Sequence, residues 1–148
     1  MKRRIALALV VLAAFALPLA ASADTLTLHG AVQFADEHAF NKTLLKFEEL
    51  VKKYYGKPIN FVLHRNSELG TEKDYFAYLS QGISVDYAVV SPSHMSTFAK
   101  SAPLMDMPFL FRDLDHWNKV LDSDAFQPIV AEVSKKADVM ILGYAGGG

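Results

Sequence analysis

The sequence predicts an α/β fold built on a largely parallel sheet flanked by helices. Three observations carry this: strand-like and helical patterns alternate along residues 25–90, the connections between strands are of helical length, and the third strand is apolar enough to be buried on both faces. Crossovers of that length make neighbouring strands parallel and right-handed in connection.

The elements follow in order. Thr25-Leu26-Thr27-Leu28-His29 alternates as a first strand that ends near Gly30-Ala31-Val32. After a loop holding Gln33 and Phe34, the residues Phe40, Leu44, Phe47, Val51 and Tyr54 recur at steps of three and four, one stripe of a helix. Asp36 and Glu37 stand at its start and Lys52 and Lys53 near its end, as the helix dipole favours, and Gly56 with Pro58 stops it. Ile59 to His64 is a second strand, and Arg65 to Gly70 is loop. Thr71 with Asp74 three residues on makes a capping-box start to a helix through Tyr75, Phe76 and Leu79, closed by Gly82. Val85 to Val90 is the third strand, apolar enough to be covered on both faces.

Beyond it the pattern loosens. Met105 to Phe111 is apolar but holds Pro108, so it is expected as core-lining extended chain. Asp113 opens a helix with Trp117, Val120 and Leu121, and Asp124 opens another with Ile129, Val130 and Val133. Val139 to Leu142 reads as a last strand running into Gly146-Gly147-Gly148. A strand leading into a glycine run usually continues toward another element, so the chain is expected to be a fragment.

The first residues stand apart from the fold. Lys2, Arg3 and Arg4 precede an apolar run from Ile5 to Leu17, 13 residues long, then Pro18 and the small-residue site Ala21-Ser22-Ala23. Such a run is about 20 Å as a helix, against a hydrocarbon core of about 30 Å, too short to span. Residues 1–23 are therefore read as a signal peptide for general secretion, cleaved after Ala23 to leave a periplasmic protein. Setting its three cations aside leaves twelve basic residues against sixteen acidic, a net charge of −4. That balance disfavours nucleic acid and anionic membrane as partners. With no Cys among its 148 residues, the chain has no disulfide framework, no cysteine-ligated zinc and no lipid-bearing Cys.

Ligands of an open parallel sheet sit beyond the carboxyl ends of its strands. The loops there are Gly30 to Asp36, Arg65 to Thr71 and Ser91 to His94. Ser91-Pro92-Ser93-His94 places two hydroxyls and an imidazole at the start of a short helix, where free N–H groups favour a carboxylate; the plain alternative is that the serines only cap it. Glu72, in the first turn of its helix, is placed to orient a ligand hydroxyl or hold a cation, whereas Lys73 and Asp74 read as a solvated helix start. The five histidines lack the spacings of helical ligand pairs, so neither metal nor other cofactor is expected. A serine hydrolase would need Ser91 or Ser93 with His94 and Asp86 or Asp106, and no Gly-x-Ser-x-Gly elbow surrounds either serine.

Four segments carry a family resemblance: Ser-Glu-Leu-Gly-Thr-Glu-Lys at 67–73, GISVDYAVVS at 82–91, MDMPFLFRDLDHWNKVLD at 105–122 and ILGYAGGG at 141–148. In this order, from Leu26 to the end, the chain resembles the DctP-like substrate-binding proteins of tripartite ATP-independent periplasmic (TRAP) transporters. The resemblance implies a two-lobed periplasmic binding protein of type II, of which residues 24–148 form an incomplete first lobe and the second lobe is missing. It implies a monomeric receptor, not an enzyme, that captures an organic acid such as a C4-dicarboxylate or sugar acid and delivers it to TRAP membrane subunits. The ligand-facing candidates it carries over are Gln33, Phe34, Glu72, Ser91, Ser93 and His94, with Met105 to Phe111 as core; the arginines that grip the carboxylate lie past residue 148. A binding protein of an ATP-driven importer and a periplasmic serine hydrolase remain as alternatives.

Overall fold

Leu28 and Phe61 point to one side of a pleated pair and Ala31 and His64 to the other, because successive strand residues alternate faces. The computed structural model describes residues 25–146, so the signal-peptide expectation lies outside the described residues. Strands β1 (Leu26–Ala31), β2 (Ile59–His64) and β3 (Tyr87–Ala88) form a three-stranded parallel sheet in the order β2-β1-β3. Leu26 pairs with Ile59 and Ala31 with His64 along the first ladder, and Gly30 pairs with Tyr87 along the second.

Helix α1 (Ala39–Tyr55) covers one face. Its Phe40 and Leu44 pack with Val32 and Tyr87, and Leu28, Phe61, Leu63 and Val89 close the cluster. Helix α2 (Glu72–Ser80) covers the other face through Tyr75, which packs with Ala31 and Val85. Helices α3 (Leu114–Leu121) and α4 (Gln127–Ala137) follow. Val133 and Ala137 of α4 join Phe76 of α2 in a third cluster with Ala99 and Ala102.

Most local signals act as read. Asp74 accepts the N–H (2.8 Å) and O–H (2.7 Å) of Thr71, completing the box that starts α2. These two bonds hold the Asp74 carboxyl below its ordinary range. Gly56 takes φ 70° after Tyr55, the left-handed conformation that ends a helix and that glycine adopts freely. The 85–90 segment is covered on both faces, Tyr87 and Val89 toward α1 and Val85, Ala88 and Val90 toward α2.

Four expectations are corrected. Asp36 and Glu37 precede the first turn of α1; His38 caps it, its Nδ1 accepting from Phe40 N at 3.2 Å. Asp36 is drawn away by Arg65 (3.0 Å) and Asn41 (3.3 Å). The third strand has two residues rather than six, because the side chain of Asp86 occupies a ladder position: Oδ2 accepts from His29 N at 2.7 Å. Met105 to Phe111 is not core-lining extended chain, since Ala102–Asp106 is a short 3₁₀ turn and Phe109 is fully exposed at φ 61°. Finally, 139–142 is not a strand among the described residues. Val139 and Ile141 pack on the third cluster while Met140 and Leu142 are exposed, so the alternation is real but no ladder pairs it.

Candidate functional site

The loops after β1, β2 and β3 meet at the carboxyl rim of the sheet, and hydrogen bonds tie them together. Gln33 follows β1 by two residues, and its Oε1 accepts from Glu72 N, the first residue of α2, at 3.1 Å. Glu72 is buried, and its Oε2 accepts from Ser91 N at 2.5 Å. One chain of bonds thus runs from loop to loop through Gln33, Glu72 and Ser91. Tyr75, one turn along α2, reinforces it by donating to the Val89 carbonyl at 3.0 Å. Burial, with the charge of Glu72 second, pushes the Tyr75 phenol far above its ordinary range, which keeps it a donor.

The loop after β2 is tied down separately. Ser67 Oγ donates to the Gln33 carbonyl at 3.2 Å, Asn66 N to the Phe34 carbonyl at 3.4 Å, and Arg65 Nη1 to Asp36. The Phe34 ring stacks on His38, centres 3.9 Å apart at 10°, and meets Phe40 edge-on at 5.5 Å. One face of Phe34 is therefore already occupied by the chain.

The 91–94 loop differs from its reading as a site of free N–H groups. Ser91 N is taken by Glu72, Ser93 N by Asp106 Oδ2 at 2.9 Å, and His94 N by the Ser91 carbonyl at 3.0 Å. The chain's own carboxylates fill the places that an anion would take. Nor does Ser91 Oγ cap the 3₁₀ turn Pro92–Met95. The two hydroxyls and the imidazole make no hydrogen bond among the described residues, and so stay available.

The structure therefore joins Gln33, Glu72 and Ser91 directly, sets Ser93 and His94 on the adjoining turn, and places Phe34 beside them in a partly apolar setting. Sequence reasoning missed Tyr75 and Arg65 with Ser67, and it weighed Asp106 beside Ser93 only as a hydrolase carboxylate, not as the acceptor of the Ser93 N–H. Tyr75 carried no signal beyond core spacing, and the others form pairs too distant in sequence to be read from it. An open concavity of about 1040 Å³ runs beside β3, walled in part by Phe40, Tyr87, Ser91, Met105 and Tyr144. It meets the candidate residues at Ser91. Among the described residues no group of three or more His, Asp or Glu side chains is placed to hold a metal ion.

Comparison with known proteins gives the family. A family model, bacterial extracellular solute-binding protein, family 7 (DctP), matches residues 30–148. The chain is 56% identical over 128 residues to solute-binding protein NAS141_03721 of Sulfitobacter sp. (strain NAS-14.1), a match over 86% of this chain and 38% of that one. It is 32% identical over 105 residues to the C4-dicarboxylate-binding periplasmic protein DctP of Shewanella loihica, covering 70% of this chain and 30% of that one. The crystal structure of a TRAP periplasmic solute-binding protein from Sulfitobacter sp. NAS-14.1 with bound α-D-taluronate superposes with a TM-score of 0.80 at 56% identity, over 84% of this chain and 40% of that one. The chain thus spans about two fifths or less of the length of the relatives it matches.

Proposed function

Because the chain belongs to the bacterial extracellular solute-binding proteins of family 7, we propose that it is part of a periplasmic receptor that captures an acid sugar and hands it to the membrane subunits of a TRAP transporter. The observation that carries this is the bonded chain Gln33–Glu72–Ser91, which fixes three loops at the carboxyl rim of a parallel sheet. That rim is where open α/β sheets take ligands.

The roles divide by chemistry. With Oε1 committed to α2, the Gln33 amide has its N–H₂ left to donate to a ligand oxygen. Ser91, Ser93 and His94 supply hydroxyls and an imidazole suited to sugar hydroxyls, and Phe34 an apolar wall. Glu72 is a positioning residue that holds the other two loops in place. Selective capture of the carboxylate needs bidentate arginines, which we place outside the 148 residues. The bound taluronate of the 56% identical Sulfitobacter structure and the dicarboxylate in the name of the Shewanella relative support an organic acid, and the higher identity favours the sugar acid.

The test is a thermal-shift panel on the full-length protein with D-taluronate, D-galacturonate, succinate and neutral galactose. Ligand binding to the native state raises the melting temperature. A rise with a uronate and none with galactose is expected; no rise with any acid overturns the reading. Recovery of the bound compound unchanged after long incubation distinguishes reception from hydrolysis.

A further inference from the structure

The loop after β2 holds two consecutive non-glycine residues in the left-handed region, Asn66 at φ 51° and Ser67 at φ 60°. Side-chain-bearing residues keep that conformation only where their surroundings fix it. Three ties to the loop after β1 help to fix it: Arg65 to Asp36, Asn66 N to the Phe34 carbonyl and Ser67 Oγ to the Gln33 carbonyl. The fourth runs down into the sheet. Glu68 Oε1 lies 2.9 Å from His64 Nδ1, and His64 Nε2 lies 3.3 Å from His29 Nδ1.

The imidazole planes are 16° apart and their centres 5.6 Å apart. With nitrogens at 3.3 Å, the rings therefore meet edge to edge, nitrogen to nitrogen, rather than face on face. Such a contact requires one proton between the nitrogens: without it two lone pairs oppose each other, and with two protons two N–H groups do. The carboxyl of Glu68 sets the direction. His64 Nδ1–H donates to Glu68, leaving Nε2 to accept from His29 Nδ1–H. From just before β3, Asp86 Oδ2 faces β1 by accepting His29 N, and Leu69 and Ser84 complete an open hollow of about 370 Å³ with the two rings. On α2, the Asp74 carboxyl is engaged by Thr71, and on the α1 side Asp36 is engaged by Arg65.

We propose that His29, His64 and Glu68 form a proton-responsive clasp on the rim loop. The clasp holds while the two imidazoles carry no extra proton, and it holds with one, since a charged donor strengthens a hydrogen bond. A second extra proton sets N–H against N–H, the His29–His64 contact opens, and the strained loop loses its tie to β1. That loop holds the Gln33 and Phe34 carbonyls, so acidification loosens the ligand rim; this last consequence rests on the receptor reading above.

Two-bond ¹H–¹⁵N spectra of the histidine rings in the full-length protein, from about pH 8 to about pH 5, test the clasp directly. At the upper end both His29 and His64 are expected to carry their proton on Nδ1, and the two rings to titrate in linked steps. His29→Gln collapses His64 to a single step. Glu68→Gln, an exposed loop change that folding tolerates, moves the second step to lower pH. His64 protonated on Nε2 at the upper end, or two rings titrating independently, overturns the clasp. Affinity for D-taluronate is expected to fall about fivefold across the second step, the worth of one hydrogen bond, and not to fall in His29→Gln. An affinity that is flat with pH in the wild type overturns the coupling to the rim. Failure of taluronate to bind at any pH counts against the receptor reading, while the ring spectra still decide the clasp.

Discussion

The side-chain oxygen of Gln33 accepts the backbone N–H of Glu72 at 3.1 Å, so a residue just past β1 caps a helix that starts 39 positions later. Gln33→Leu removes that acceptor and is expected to cost about 1 kcal/mol, the usual worth of an N-terminal cap, read by urea unfolding. Gln33→Glu separates capping from ligand contact. A carboxylate suits the positive end of a helix, so stability should hold within about 0.5 kcal/mol. The same charge repels an anionic sugar, and calorimetry should show at least about a tenfold loss of uronate affinity. Equal affinity in both variants would reduce Gln33 to a structural cap.

Glu72 is the second link. Glu72→Ala leaves the half-buried Ser91 N–H without its acceptor, and the loss of that bond to a carboxylate should cost about 1 kcal/mol. Glu72→Gln keeps a carbonyl oxygen at that spot and should lose clearly less. If the two variants unfold at the same urea concentration, the bond to Ser91 does not hold the loops.

What could be read along the chain was whatever local chemistry or periodicity encodes. The stripe Phe40-Leu44-Phe47, the box Thr71 to Asp74 and the stop at Gly56 each act within a few residues of themselves, and each stands as the pattern implied. The parallel order followed from connection lengths alone. The misreadings are places where a distant partner won. Asp36 left the α1 terminus for Arg65, 29 residues on, and the Asp86 side chain closed a ladder against His29, 57 residues back. In the rim the residue types were legible, but their roles were not: Glu72 and Asp106 satisfy the N–H groups that sequence reasoning left open for a ligand.

Gly30 is fixed by a neighbour rather than by its backbone. A Cβ built there would lie 2.3 Å from Tyr87 Cζ, in the core beneath α1. Gly30→Ala therefore overpacks a site that cannot yield without moving the ring, and should cost about 1–3 kcal/mol in chemical denaturation. Gly143→Ala, where no atom lies within 4 Å of the added carbon, is the matched control and should stay within about 0.5 kcal/mol.

Asp74 gives the fold an acid limit. Its carboxyl sits below the ordinary value of 3.8 because Thr71 donates twice to it. A group whose folded value is depressed stabilises the fold above its unfolded value and loses that contribution as pH falls through the folded one. Acidification below about pH 3.8 should fray the start of α2, seen as faster amide exchange at Tyr75 and Phe76. Asp74→Asn should show this exchange already at neutral pH and little further change on acidification.

Tyr87 sets the alkaline side. Its hydroxyl donates to Glu48 Oε1 at 2.7 Å, both residues being buried. Burial, followed by that bond, raises the phenol far above its ordinary value of 10.0. Tyr75 is raised in the same direction from the same value, and Tyr144 more weakly, by burial. A folded value above the unfolded one means that the stabilisation is fully present below about pH 10 and drains away as pH rises past it, because only the unfolded chain releases these protons there. Urea unfolding from about pH 7 to about pH 11 should therefore show stability falling once pH passes the ordinary phenol value, with Tyr75 and Tyr87 ionising only as the fold is lost. Tyr87→Phe should be less stable at neutral pH by about 1–3 kcal/mol, since Glu48 stays buried without its donor, yet decline less steeply above pH 10. If the phenolate absorbance of all six tyrosines rose together near pH 10 with native circular dichroism intact, Tyr87 would not be sealed beneath α1.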